Sequence, residues 1–562
     1  MSLPLLLSKS RGPIGLSVLL GLIGGAGSAG LIAMIHAVVT TQDRPSYWSW
    51  LFAGAVLAVI LARAGAALLV TWLAQRLICD LRIDLSRKIL AAPLLCLQSL
   101  GAPRLLAALT EDVATLAAAV QALPWLCVSG AVVFGCLIYM GLLSWPLLLL
   151  VAVTIVLGVV LFLLVKSKAL GSLQSARQSQ DEIFSHFRGL IEGIKELKLN
   201  RARREAFFSD DLETSATACR DHSIAGQGRY ILAGNIANSL LFITVGVILF
   251  GLPAESIFSS SVITGFVLAL VYLMAPLAGL VETLPVLSRA RVARDSIHAL
   301  TTTLTASSHP PAWRPGPLLF PGTLDLIGVT HTYRREGDDR PFTLGPIDLT
   351  LYPEEVTFLV GGNGSGKTTL ALLLVGLYAP ETGVIRLGGR VVNEANREQY
   401  RQHFTAVFSD FYLFDSLLGF QDKELDGEVR KYLAQLQLDH KVRVEKGAFS
   451  TLSLSQGQRK RLALLVAYLE DRPFYVFDEW AADQDPVFKK IFYTEILSSL
   501  KARGKTVVVI THDDSYFHVA DRCLKLEDGK LAEMPVAAWK PGKPTGKFMD
   551  DERTAFDTKI PV

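Results

Sequence analysis

The sequence predicts a chain in two parts: an α-helical membrane domain of six spans, then an α/β domain with a mostly parallel sheet. Three observations predict it. Hydrophobic residues make up 51% of the 562 residues and charged ones only 19%. The charge deficit falls almost wholly in the first half, where the apolar runs reach membrane-spanning length. After a Thr-, Ser- and Pro-rich stretch, short β-branched runs alternate with helical stretches, as crossover connections between parallel strands require.

The spans come first. A bilayer core takes about 20 predominantly apolar residues per helix. Pro13–Val39 supplies the first run. It is too long for a secretory signal, and no small-x-small cleavage pattern followed by a soluble domain accompanies it. Trp50–Leu73, interrupted by Arg63, is the second. Leu123–Val165 is about twice the length one span needs. The LSWP stretch Leu143–Pro146 divides it into spans three and four joined by a tight turn. Tyr230–Phe250 is the fifth, and Val262–Leu287, with Pro276 and Gly279 inside, the sixth.

Lysine and arginine set the orientation. Lys9 and Arg11 precede span one, and Arg76, Arg82, Arg87 and Lys88 follow span two. Lys166, Lys168, Arg177 and Arg188 follow span four, and Arg289, Arg291 and Arg294 follow span six. The opposite loops, Thr40–Ser49, Leu143–Pro146 and Gly251–Ser261, carry one Arg and no Lys between them. Both termini are therefore expected in the cytoplasm.

Gln75–Leu123 and Lys166–Arg229 are too long for loops. They are polar, charge-laced and of helical period, so the helices are expected to run on past the membrane. Turning points are expected at Leu97–Ala107 and Arg204–Ala218, where short crosswise helices could meet a cytoplasmic partner. A solvated hairpin without a partner fits the same pattern. Thr301–Pro321 reads as a linker. The expected organisation is a transmembrane domain over residues 1–300, the linker over 301–321, a second domain over 322–537 and a tail over 538–562.

A net charge of +3 is too small to argue for nucleic acid, and none is expected as a partner. The six cysteines, at 79, 96, 127, 136, 219 and 523, lack metal-ligand spacing and read as small hydrophobes.

The second half carries the chemistry. GGNGSGKT, Gly361–Thr368, matches the phosphate loop G-x-x-x-x-G-K-[ST]. A strand is expected before it at Val356–Val360 and a helix after it at Thr368–Tyr378. In such a loop the N–H groups of Gly361, Gly362, Asn363, Gly364, Ser365 and Gly366 turn inward on phosphates, and the helix N-terminus at Thr368 and Thr369 adds a positive dipole. Lys367 reaches the β- and γ-phosphates, and Thr368 offers its hydroxyl to Mg²⁺. The ligand is thus expected to be a polyphosphate with Mg²⁺. FYVFDE, Phe474–Glu479, is a buried apolar strand ending in two carboxylates. Asp478 is expected to hold Mg²⁺ through water, and Glu479 to act on the attacking water as general base.

LSQGQ, Leu454–Gln458, precedes a basic helix, with Ser455 as a natural N-cap. This stretch resembles the LSGGQ signature of ABC-type ATPases. Six spans followed by one such ATPase resemble an ABC exporter half-transporter over the whole chain. The resemblance implies that Ser455, Gly457 and Gln458 of one copy close over the phosphate loop of another. A homodimer with two ATP sites and twelve spans follows from that. It also implies that Tyr333 stacks on adenine, that His512, after the strand Thr506–Ile510, contacts the γ-phosphate, and that Asp485 is the inter-subunit aspartate.

FRGLIEGIKELKLNRARREAFF, Phe187–Phe208, and FDEWAADQDPVFKKIFY, Phe477–Tyr493, resemble the cyclic-peptide and siderophore exporters of Gram-negative bacteria, of the syringomycin and pyoverdine types. That branch implies a nonribosomal peptide or siderophore precursor as cargo, moved across the inner membrane, within membrane lipid, from cytoplasm to periplasm. Export of another amphiphile, a lipid or a drug, is the alternative, and a membrane-anchored regulatory ATPase a third reading.

The sequence departs from the family at two points. Ser409–Asp410 stands where the family has a Gln sensing Mg²⁺ and the γ-phosphate, after an expected strand Thr405–Phe408; either side chain could bind Mg²⁺ or its water. Gln456 replaces a Gly of the signature. No peptidase-sized domain precedes span one, which argues against cleavage of a leader from the cargo. Arg63, His36, Asn235, Asn238 and Glu282 lie within or near spans. Ionisable groups there are costly and usually functional, so Arg63 is expected to face a cavity and meet an acidic group of the cargo. An interhelical partner or a snorkelling side chain would also account for it.

Overall fold

The computed structural model describes residues 11–41, 47–251, 258–307, 322–333, 342–420 and 425–534. The chain divides into two compact units, Met1–Arg87 with Ala102–Thr302, and Lys88–Gly101 with Thr303–Val562.

In the first unit, six helices among the described residues are long and apolar enough to cross a membrane. They lie within Arg11–Thr40, Tyr47–Ala91, Ala102–Leu143, Trp145–Glu192, Arg201–Gly251 and Ser260–Ser307. Each of the six expected spans falls on one of them. The LSWP turn has a local cause. Ser144 adopts an extended backbone (φ −164°, ψ 116°) that ends one helix, and Pro146 lies in the first turn of the next. A proline there removes an N–H that has no helical partner anyway.

Packing within this unit follows helical periodicity. Tyr47–Ala91 buries Ala62, Ala66, Val70, Leu73, Ala74, Leu81 and Leu85 along one stripe. Small residues in that stripe let helix backbones approach closely. The other face leaves Leu57, Leu61 and Leu68 58%, 62% and 73% exposed, a surface suited to hydrocarbon rather than water. Trp145–Glu192 and Thr214–Gly246 pack along each other, tied by Thr244 Oγ1 donating to Thr154 Oγ1 at 3.0 Å.

The helices do run on past their apolar segments, but the second turning point differs from expectation. Arg204–Ala218 is continuous helix, including a π-turn at Phe207–Glu213. The break lies upstream. Gly193 ends Trp145–Glu192, and Asn200 turns extended (φ −122°, ψ 108°) and caps the next helix by accepting from Arg203 N at 3.1 Å. Between them Ile194–Leu199 is a short separate helix. The first turning point is close to expectation: Leu94–Leu100 is a short helix bounded by Pro93 and Gly101. It belongs to the second unit, where Leu94 packs on a buried cluster and Gln98 Oε1 accepts from the Tyr378 hydroxyl at 2.6 Å.

The last span also overruns the expected linker. Ile297, Leu300 and Leu304 continue a buried helical stripe, so the helix persists to Ser307. Residues 308–321 and the tail from 535 lie outside the described residues.

In the second unit the short strands β7 Val444–Glu445 and β8 Ala448–Phe449 form an antiparallel pair. The main sheet has six strands, β3 Val356–Val360, β6 Phe404–Val407, β9 Phe474–Asp478, β10 Thr506–Ile510, β11 Arg522–Glu527 and β12 Lys530–Met534, in the order β12-β11-β3-β10-β9-β6. All pairings are parallel except β11 with β12. β3, β9 and β10 are buried at every position, which is why they read as unbroken apolar runs. Alternate side chains go to opposite faces. Phe358, Tyr475, Phe477, Val507 and Val509 join one core cluster, while Leu359, Phe474, Val476, Val508 and Ile510 join the other. Full burial of each such side chain contributes about 1.5–3 kcal/mol.

A second sheet, not anticipated, is antiparallel. Its order is β2-β1-β4-β5, with β1 Leu324–Tyr333, β2 Phe342–Leu351, β4 Thr382–Leu387 and β5 Arg390–Val391.

Candidate nucleotide site

The parallel register assembles the site. Ile510 pairs with both Leu359 and Asp478, and Val407 pairs with Phe477. The chain therefore leaves β3, β10, β9 and β6 at one edge, the carboxyl ends where open α/β sheets bind ligands. Four sequence-predicted groups emerge there: the loop Gly361–Thr368, the pair Asp478–Glu479, His512, and Ser409–Asp410.

The loop is shaped for close approach. A side chain on Gly361 would lie 2.2 Å from Leu526 O, so only glycine fits. The helix after the loop is Lys367–Leu374, starting one residue earlier and ending sooner than expected. Lys367 is buried, and its Nζ donates to Gly361 O and Gly362 O at 2.9 Å each. Burial lowers its pKa, while the carboxylates of Glu479 and Asp478 oppose that shift. The ammonium is thus folded back over its own loop. Ser365 Oγ is buried and has no hydrogen-bond partner among the described residues. Gly362, Asn363 and Gly364 are exposed, and Thr369 is half-buried. A cradle of loop N–H groups with a free buried hydroxyl and a lysine above it fits a polyphosphate.

Thr368 Oγ1 donates to Asp478 Oδ2 at 3.0 Å. Asp478 is buried, and burial raises its pKa; the Thr368 bond and Lys367 pull it down, while Glu479 and Asp410 push it further up. A buried carboxylate crowded by two others is stabilised by an added cation, so the Thr368–Asp478 pair suits Mg²⁺. Ser409 and Asp410 are exposed beside it. Expected strand Thr405–Phe408 is observed as Phe404–Val407.

Glu479 has a left-handed backbone (φ 49°, ψ 36°), uncommon for a non-glycine residue. Such a conformation persists only where surroundings hold it. Its N–H donates to Ile510 O at 3.1 Å, and its carbonyl accepts from Lys460 Nζ at 2.8 Å. Its carboxylate lies 3.2 Å from His512 Nε2.

Ser455 caps the helix Gln456–Glu470 in a reciprocal box. Ser455 Oγ accepts from Gln458 N at 3.4 Å, and Ser455 N donates to Gln458 Oε1 at 3.2 Å. Among the described residues no hydrogen bond joins Ser455, Gly457 or Gln458 to the chain's own loop. Asp485 caps the next helix by accepting from Phe488 N at 2.9 Å, which with Arg461 lowers its pKa.

Sequence reasoning missed the web that joins these motifs. Lys460 is 2% exposed and pairs with Asp483 at 2.7 Å besides holding Glu479. Arg461 pairs with Asp485, donates to Gln484 Oε1 at 2.9 Å and lies over the Phe488 ring. Gln484 Nε2 donates to Gly457 O at 3.0 Å, and Trp480 Nε1 to Lys460 O at 3.0 Å. The matching signal was two adjacent cations, Lys460–Arg461, and two acids spaced by one residue, Asp483 and Asp485. Tyr333 is half exposed at the end of β1 and pairs across the ladder with Phe342. The Phe342 ring borders Gly366, which puts Tyr333 one strand from the loop.

In the membrane unit Arg63 lines a cavity. His36 Nε2 lies 2.7 Å from Ser261 O, and its Nδ1 lies 2.6 Å from the Tyr139 hydroxyl, tying helices together. Asn235, Asn238 and Glu282 line a separate cavity of about 270 Å³.

Comparison with known proteins agrees with this arrangement. A family model described as the ABC transporter transmembrane region matches residues 14–277, and one described as ABC transporter matches residues 344–482. The ATP-binding protein SyrD of Pseudomonas syringae pv. syringae is 37% identical over 91% of this chain and 92% of its own. An ATP-dependent lipid A-core flippase of Dechloromonas aromatica is 27% identical over 86% of this chain and 85% of its own. A solved bacterial Atm1-family ABC exporter with ATP bound is 18% identical with a TM-score of 0.68, covering 94% of this chain and 95% of that one. That last likeness is one of fold.

Proposed function

The chain belongs to the ABC transporter family as an exporter half-transporter, and we propose that it works as a homodimer exporting an amphiphilic peptide. It is a multi-pass membrane protein whose ATP hydrolysis is coupled to transport. The single observation that carries the mechanism is the convergence of Lys367, Thr368, Asp478, Glu479 and His512 at one sheet edge.

The roles follow from that geometry. The N–H groups of Gly361–Gly366 and the Lys367 ammonium bind the phosphates of ATP, and Ser365 Oγ adds a hydroxyl. Thr368 and Asp478 would hold Mg²⁺, with Ser409 or Asp410 at hand for its water, and the ion would supply charge neutralisation at the phosphates. The Glu479 carboxylate takes the proton of the attacking water. His512 orients that carboxylate and contacts the γ-phosphate. Tyr333 stacks on adenine. Ser455, Gly457 and Gln458 serve a second copy's loop, a reading supported by the lack, among the described residues, of any hydrogen bond from them to the chain's own loop, with Asp485 at the seam. The expected site is the bacterial inner membrane, with both termini cytoplasmic.

A cyclic or nonribosomal peptide, or a siderophore precursor, is the favoured cargo, supported by the 37% identity to SyrD across nearly the whole length of both chains. The similarity to lipid A-core flippases supports a lipid as the second reading. The experiment is uptake into inverted membrane vesicles. ATP-driven accumulation of an amphiphilic peptide, absent in Glu479→Gln with ATP binding retained, supports the proposal. Accumulation in the Gln variant at the wild-type rate refutes the assigned base, and lipid movement alone refutes the peptide.

A further inference from the structure

The cavity lined by Arg63 measures about 570 Å³, within the range of small-molecule sites. Trp125, Val128, Ser129, Val271 and Tyr272 contribute apolar and aromatic walls, and the lining includes no acidic residue. Arg63 is seated deliberately. A side chain on Gly24 would come within 2.9 Å of Arg63 Cγ, so glycine makes room for the arginine stem. One turn on, Ser28 Oγ donates to Gly24 O at 2.7 Å, which presents its lone pair to Arg63 Nη2 at 2.8 Å.

That bond uses one of the five guanidinium N–H groups. Nε is buried and without a partner, and among the described residues Arg63 forms no ion pair. A half-buried, anchored, permanently charged group inside a membrane unit is expensive unless an anion meets it. Snorkelling is poorly served by this seat, because the serine bond holds the guanidinium beside the cavity wall.

We propose that the Arg63 cavity recognises the anionic group, carboxylate or phosphate, of an amphiphilic cargo whose apolar body lies against Trp125 and Val271. This rests on the exporter reading and adds charge selectivity to it. The planar fork suits two oxygens of one oxyanion, and the walls suit an acyl or apolar side-chain surface.

The test uses the full-length protein in phosphatidylcholine nanodiscs. The probes are an N-decanoyl dipeptide with a free C-terminal carboxylate and its C-terminal amide, with stimulation of ATP hydrolysis as the readout. The wild type should respond to the carboxylate at about tenfold lower concentration than to the amide, the equivalent of about 1.4 kcal/mol. Arg63→Met should erase that preference, so that both probes act at the concentration at which the wild type responds to the amide. Arg63→Lys should keep the sign of the preference at reduced size, which separates charge recognition from a folding defect. Equal responses of the wild type to both probes, or a preference surviving in Arg63→Met, would overturn the proposal. Phosphatidic acid added to the nanodiscs separates two sources of the anion. Arg63-dependent competition assigns the site to a lipid headgroup, and its absence assigns the site to the peptide carboxylate. ATP-driven uptake of the amide by Arg63→Met vesicles tests the exporter reading by itself, so the two can fail separately.

Discussion

Replacing Lys460 by Met should leave nucleotide binding intact and slow hydrolysis. Lys460 is 2% exposed, and its ammonium makes two short contacts, 2.8 Å to the Glu479 carbonyl and 2.7 Å to Asp483. Hydrogen bonds to charged groups contribute about 1.5–3 kcal/mol each. Met matches the stem in volume, so no large cavity opens. Asp483 is 46% exposed and regains water, which discounts that bond strongly. A net loss of about 2 kcal/mol remains, lowering the melting temperature of a domain this size by about 4–8 °C. The kinetic effect comes from Glu479. Freed of the lysine, its backbone leaves the left-handed region for more stable conformations, and the carboxylate swings from the sheet edge. If the same 2 kcal/mol appears in the barrier, kcat falls about thirtyfold with little change in KM for ATP. The assay is steady-state hydrolysis with equilibrium binding of a fluorescent ATP analogue. A kcat within twofold of wild type in a folded variant would refute a positioning role of Lys460 for the proposed base, Glu479.

Tyr378→Phe removes the 2.6 Å bond to Gln98 in the helix Leu94–Leu100. Stability should fall by about 1 kcal/mol, and stimulation of hydrolysis by cargo should drop while basal hydrolysis holds; an unchanged stimulation ratio would count against a role in coupling. Phe358→Ala at the centre of β3 should destabilise the ATPase unit by about 3–5 kcal/mol, seen as loss of its thermal transition at growth temperature. Burial pushes the Cys523 thiol up to about 11, so at pH 8 it stays protonated and shielded. Mass-spectrometric mapping of maleimide labelling should find exposed Cys79 modified first and Cys523 only after denaturation.

The legible parts of this chain share a physical reason. β3, β9 and β10 are buried on both faces, so VTFLV, FYVFD and TVVVI stand out as strands without any alternation to interpret. The loop between β3 and its helix was legible because phosphate cradling demands glycine at fixed intervals. The antiparallel sheet was not, because β1 shifts register between Leu326 and Val329 and again before His331, which breaks its period of two. The break at Gly193 was hidden for a different reason. IKELKL is as helical in pattern as its neighbours, and only the backbone at Gly193 and Asn200 turns the chain. In the expected linker, Thr301–Ser307 looks unstructured by composition, yet Leu304 extends the stripe of Ile297 and Leu300 and prolongs the helix. Lys460 escaped notice because its partners lie on another strand's exit, a contact that no local pattern encodes.

The cap at Ser455 carries one more consequence. Its oxygen takes the Gln458 N–H, and its hydrogen is what the hydroxyl can offer an anion. An aspartate at this position would close the helix end as well as serine does, and the folded chain would look undisturbed. Yet it would face an approaching phosphate with a second negative charge and nothing to give. If the cap serves a second copy's loop as proposed, folding and pairing would part company at a single atom, leaving a well-formed chain that repels the nucleotide held there.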